Sequence, residues 1–133
     1  MTRAETARLW RAHVLPSGIA LALVLLSCSP AMYKTYGPKF PAQPSGHPID
    51  LITGEAPPFA EIIGELSYSY SRRDRPPTVE EALEGAKQVG RDNGADALSQ
   101  VRTVQRDQSG LFYVDVFAKA VRYPRDAAGR PRR

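Results

Sequence analysis

Thr78-Val79-Glu80-Glu81-Ala82-Leu83-Glu84-Gly85-Ala86-Lys87-Gln88-Val89-Gly90-Arg91-Asp92-Asn93-Gly94 is the stretch with the strongest local signal in the chain. Thr78 and Glu81 stand at the spacing of a capping box, in which the hydroxyl accepts from the N3 amide and the carboxylate returns a bond to the cap. Val79, Ala82, Leu83, Ala86 and Val89 recur at intervals of three and four, making one narrow apolar stripe of mostly small residues. Glu80, Glu81 and Glu84 come first and Lys87 and Arg91 later, the order a helix dipole favours. Gly94 is placed as the left-handed residue beyond the last turn. The stretch predicts a single helix, and one narrow stripe can cover only one face of a sheet. Paired glutamates can do acid-base work, but on the polar side of a capped helix they read as solvated charge.

The flanking segments alternate at period two, the mark of half-buried strands. Before the helix, Ile49 to Thr53 predicts a short strand ended by Gly54 and Pro57-Pro58, and Ala60 to Tyr70 a longer one. In the longer strand Ile62, Gly64, Leu66, Tyr68 and Tyr70 face one way and Ile63, Glu65, Ser67 and Ser69 the other. That alternation accounts for the hydroxyl-rich run Ser67 to Ser71 without a site. After the helix come Ala97 to Asp107, the turn Gln108-Ser109-Gly110, and Leu111 to Tyr123. The expected fold is therefore α+β: one small domain over 49–123, a mostly antiparallel sheet of about four strands in ββαββ order, with the helix on the Phe112, Val114, Val116, Ala118, Ala120 face. The opposite face is expected to stay open. On it Tyr113, Phe117, Val121 and Tyr123, set among Asp115 and Lys119, are the candidate partner-binding residues, because large aromatics in a polar surround bury much area for little lost entropy. The alternative is that the linker or a loop folds over them.

Further out, Ser29 to Pro48 carries Pro30, Pro38, Pro41, Pro44 and Pro48. Proline removes donors and fixes φ, so this stretch is expected to be an extended spacer without a ladder strand. Tyr33, Tyr36 and Phe40 within it read as incidental. Pro124 to Arg133, with Arg125, Arg130, Arg132 and Arg133 against Asp126, is expected to be a disordered basic tail.

The beginning of the chain has the parts of a secretory signal over 1–27. Arg3, Arg8 and Arg11 against Glu5 make a basic n-region, followed by the apolar run Ile19 to Leu26. At about 1.5 Å per residue that run is too short to cross a hydrocarbon layer of roughly 30 Å. Leu25-Leu26-Ser27-Cys28 then resembles the lipobox of bacterial lipoproteins. The resemblance implies that the chain is cut before Cys28, that the thiol is diacylated with palmitate-type chains, and that the new amine is acylated as well. Ser29, where an inner-membrane retention signal carries Asp, implies the periplasmic side of the outer membrane. A conventional signal with Ser29-Pro30-Ala31 as its cleavage site, and a short anchor that is never cut, remain the alternatives.

The 133-residue chain has a formal charge of +4. Loss of the signal lowers this by two, since three Arg and one Glu leave with it, and the basic tail holds what positive surplus remains. A nucleic-acid partner would need a basic, aromatic-interleaved face on the folded part, and none is present. Cys28 is the one cysteine, so stability must come from an apolar core rather than a disulfide. Past the signal the one histidine is His47, in the spacer, and no Cys or His pair stands at ligand spacing, so neither metal nor cofactor is expected. No nucleophile, base and orienting group are gathered in the pattern, and no catalytic residue is assigned.

A second resemblance rests on Ile63-Gly64-Glu65-Leu66, Glu81-Ala82-Leu83 and Gly94-Ala95-Asp96-Ala97-Leu98. These are similar to small bacterial envelope domains, including the C-terminal domain of the Rcs-pathway stress-sensing lipoprotein and the YbjQ-type domains labelled heavy-metal-binding. Neither the disulfide-linked sensing of the first nor the metal label of the second carries over, because the residues for them are missing. The expectation is a lipoprotein of the cell envelope acting as a non-catalytic interaction or sensing module. Its partners are the bilayer through Cys28 and another envelope protein or a second copy. The alternative is a small secreted periplasmic ligand-binding protein or a hydrolase.

Overall fold

The computed structural model describes Pro30 to Arg133; the signal segment and Leu25-Leu26-Ser27-Cys28 lie outside the described residues. In chain order the elements are β1 (Ala31–Thr35), β2 (Asp50–Ile52), β3 (Glu61–Arg72), α1 (Val79–Asp92), β4 (Ala97–Gln108) and β5 (Leu111–Arg122). The strands form one sheet in the order β1-β3-β5-β4-β2. All neighbours are antiparallel except β2, which runs parallel to β4. The described residues thus form a single α+β domain with one helix, but the four-strand ββαββ expectation is corrected to a five-stranded mixed sheet.

The additional strand, β1, comes from the stretch read as a spacer. Its prolines, Pro30 and Pro38, flank Ala31–Thr35 instead of entering it, and an edge strand needs a ladder on one side only. Pro30 still contributes its carbonyl, which accepts from the Ser69 amide at 3.0 Å. Tyr33 pairs with Leu66 and turns inward, while Met32 and Lys34 turn outward opposite Ser67 and Glu65.

The helix follows its sequence closely. Thr78 Oγ1 accepts from the Glu81 amide at 3.2 Å and the Thr78 amide donates to Glu81 Oε2 at 2.9 Å. At the other end the Gly94 amide donates to the Arg91 carbonyl at 3.1 Å and the Ala95 amide to the Gly90 carbonyl at 2.9 Å, the two bonds of a Schellman motif. Gly94 has φ +85°, and a Cβ there would stand 2.6 Å from Phe40 Cβ, so glycine is required by both backbone and packing. Val79, Ala82, Leu83, Ala86 and Val89 pack onto Leu66, Val114, Val116 and Ala118. The stripe's small residues let the helix sit close; at Gly85 the Tyr68 ring occupies the space a Cβ would need.

Two irregularities break the period-two pattern. A bulge between Ile62 and Gly64 turns Ile63 into the core beside Ala95 and Ala120, leaving Ile62 outside, the reverse of the simple alternation. A second, between Ser99 and Arg102, places Gln100 at φ +51° and throws Val104 onto the outer face. The β4–β5 hairpin closes through Ser109 and Gly110, both at positive φ, as a tight I′ turn requires.

The segments on either side of the expected domain are folded onto it. Phe40 packs against Ile63, Ala95 and Ala120, the Gln43 amide donates to the Arg91 carbonyl at 2.7 Å, and Arg91 Nε donates to the His47 carbonyl at 2.6 Å. The tail turns back on itself, the Arg132 amide donating to the Pro124 carbonyl at 2.8 Å, and Arg133 pairs with Asp50 at 2.6 Å. Tyr33, Tyr36 and Phe40 are therefore structural: Tyr33 and Phe40 pack against the core, and the Tyr36 hydroxyl donates to Glu65 at 2.8 Å. Among the described residues no helix is long and apolar enough to cross a membrane.

Candidate functional site: the outer face of the sheet

β5 is the middle strand, and its outward residues Tyr113, Asp115, Phe117 and Lys119 continue the alternation to Val121 and Tyr123. The four candidate residues do share a face, yet they do not share an environment. Val121 is 0% and Tyr123 6% exposed, both packed against Ala97, Ile52, Ala56 and Ala60. Phe59 lies over Tyr123 with ring centroids 6.2 Å apart, and the Tyr123 hydroxyl donates to Asp50 Oδ2 at 3.2 Å. Burial, helped by the Asp50 carboxylate, pushes the Tyr123 phenol up. The connection between β2 and β3 covers this half, so Val121 and Tyr123 are core residues and not partner-binding ones.

The hairpin half of the same face is open. Phe117 is 37% exposed, with the Arg102 guanidinium 4.9 Å from its ring centre, and Arg106 lies 4.0 Å over the Tyr113 ring. Arg106 Nε also donates to Asp115 Oδ2 at 2.6 Å, and Ser69 Oγ to Asp115 Oδ1 at 2.6 Å. The Arg106 bond, against the opposing effect of burial and with Ser69 assisting, holds the Asp115 carboxyl below the usual carboxylate range. Beside Phe117 a shallow groove of about 700 Å³ is lined by Met32, Lys34, Glu65, Ser67, Arg102 and Lys119 among others. Arg106 is committed to Asp115, and Glu65 accepts from Tyr36; among the described residues Lys34, Arg102 and Lys119 have no carboxylate within ion-pair distance. The arrangement is an aromatic ring and a thioether set among cations, suited to binding an anionic or amphiphilic surface rather than to proton transfer.

Behind the covered half lies a group that the sequence reading missed. Asp96 is fully buried at the step from α1 into β4. Its carboxylate accepts from Gln43 Nε2 at 3.1 Å, His47 Nε2 at 2.8 Å, the Tyr123 amide at 2.9 Å, and both terminal nitrogens of Arg125 at 2.6 and 3.1 Å. Burial would raise the carboxyl, but Arg125, the Tyr123 amide and His47 outweigh it and hold Asp96 below its ordinary value. The cluster is a knot joining the segment before β2, the helix end and the tail. His47 beside a buried carboxylate outlines part of a catalytic triad, but among the described residues no serine, threonine or cysteine bonds its ring. Nor does any group of three or more His, Cys, Asp or Glu among them gather as a metal would need. The sequence does hold a hint of the knot: a lone carboxylate between Ala95 and Ala97, entering a buried strand, must find a cation.

Fold and face together define a small α+β domain with one sheet face covered by a helix and the other half open. No family model and no curated protein matches the chain. Among solved structures it is similar to the Francisella virulence factor FvfA, at 11% identity and a TM-score of 0.46, over 66% of this chain and 94% of that one.

Proposed function

We propose that the chain is a lipoprotein of the bacterial outer membrane, anchored on its periplasmic side through acylated Cys28, whose domain is a non-catalytic interaction or sensing module working through the open half of its sheet. The observation that carries this reading is where the first strand begins relative to the lipobox. Cleavage before Cys28 would leave the entire sheet intact. Cleavage after Ala31, as in the conventional-signal alternative, would remove the Pro30 carbonyl that accepts from Ser69 and the Ala31 rung opposite Tyr68. Two or three acyl chains suffice as a lasting anchor, so no second membrane signal is required. The open half supports the module reading because an exposed aromatic among uncommitted cations is equipped to bind and not to react.

The test is the N-terminus of the purified mature protein. Its mass should correspond to a chain beginning at Cys28 with acyl groups attached, and Cys28→Ala should leave the membrane fraction or accumulate with its signal uncut. A free amine at Met32 would overturn the proposal.

A further inference from the structure

We infer that the open half of the sheet lies against the phospholipid surface that holds the acyl chains of Cys28, with Lys34, Arg102 and Lys119 meeting anionic headgroups and Phe117 and Met32 seated at the interface. This rests on the anchor reading and names the partner of the same face. The first support is the length of the tether. Only Ser29 and Pro30 separate Cys28 from β1, and three residue steps span at most about 11 Å. That is close to the Debye length of about 8 to 10 Å at ordinary ionic strength, so the β1 edge of the sheet stays within the electrostatic reach of the headgroups.

The second support is the register. Met32 pairs with Ser67, Ser67 with Phe117 and Phe117 with Arg102, one rung running across four strands on the outward side. Lys34, Glu65 and Lys119 make the adjoining outward rung. With strands roughly 4.8 Å apart, both rungs fall within about 15 Å of the tethered edge. Met32, at 72% exposed, is nearest the tether, followed by Phe117. Apolar tips ringed by lysine and arginine match the depth profile of a headgroup layer, where long cationic side chains reach phosphate while rings settle at the boundary.

The third support is charge asymmetry between the two faces. On the outward side Lys34, Arg102 and Lys119 have no ion-pair partner among the described residues, Arg102 lying by the Phe117 ring and Glu65 standing between the two lysines. On the helix side the charges are largely paired, Glu81 with Arg72 and Arg75 and Glu84 with Lys87, so that side offers little net attraction. An anionic surface therefore attracts the first side more than the second, which favours this orientation.

The experiment uses the full acylated protein reconstituted into vesicles of phosphatidylcholine alone or mixed with phosphatidylglycerol. Because the native thiol is acylated, Ser67→Cys and Glu84→Cys each present one free thiol for a fluorophore, the first beside Phe117 and the second on the exposed helix. Quenching by a lipid with a spin-labelled headgroup should be several-fold greater for the Ser67 label in the anionic vesicles. It should fall to the Glu84 level at high salt, and again in the Lys34→Glu/Lys119→Glu variant. Equal quenching at the two positions in a protein whose mass includes its acyl chains would overturn the docking and leave the anchor standing. A mass without acyl chains would overturn the anchor itself, and the docking with it.

Discussion

The two halves of the outward side of β5 have nearly the same kind of sequence and opposite fates. At Val121 and Tyr123 the β2–β3 connection closes over the strand, and Asp96 locks the region from behind with five donor contacts drawn from two stretches of the chain, before β2 and after β5. At Tyr113 and Phe117 the cover comes from side chains of the adjoining strand, Arg106 over the first ring and Arg102 by the second, and the buried carboxylate Asp115 is held by the neighbouring strands through Ser69 and Arg106. Alternation along a strand therefore tells which side a residue takes, while long-range cover decides whether that side is core or surface.

The sharpest way to break this comparison is at the lock. Asp96→Ala leaves Arg125, His47, Gln43 and the Tyr123 amide without their acceptor and should cost about 3 to 5 kcal/mol, the range for breaking a buried ion pair. Urea unfolding measures it. Asp96→Asn adds a pH dimension. A carboxyl held below its ordinary value stabilises fully above the unfolded-state pKa of about 3.9 and loses that contribution as pH falls toward its native value. The stability gap between wild type and Asp96→Asn should therefore narrow as pH falls below about 5. Next in size, Val121→Ala, beneath the covering loop, should cost roughly 1.5 to 3 kcal/mol. Thr78→Ala, on the far side of the sheet, should cost about 1 kcal/mol through the lost cap without altering either half of the face. An unchanged midpoint would mean the capping box holds nothing.

What could be read from sequence was local. The helix from Thr78 to Gly94, its stripe and its caps, and the β4–β5 hairpin are specified by residues three or four apart, and all are found. The strand at Ala31–Thr35 was hidden because prolines at both ends resemble a spacer, although none lies inside the strand. Ile62 and Ile63 exchanged faces because a bulge inserts one residue that no hydrophobic pattern announces. His47 and Arg125 looked idle because their value lies in Asp96, 49 and 29 residues away. Half of the candidate face was misassigned for the same reason: the loop carrying Phe59 meets Tyr123 only once the sheet is assembled.

The central claim is that the outward side of β5 is surface at one end and core at the other, and urea unfolding of Phe117→Ala beside Val121→Ala tests it most directly. Phe117→Ala loses an exposed ring and its contact with Arg102 and should shift stability by about 1 kcal/mol or less, clearly below the Val121→Ala cost. If Phe117→Ala destabilises the domain as much as Val121→Ala or more, the open half is core, and the binding face assigned to it does not exist.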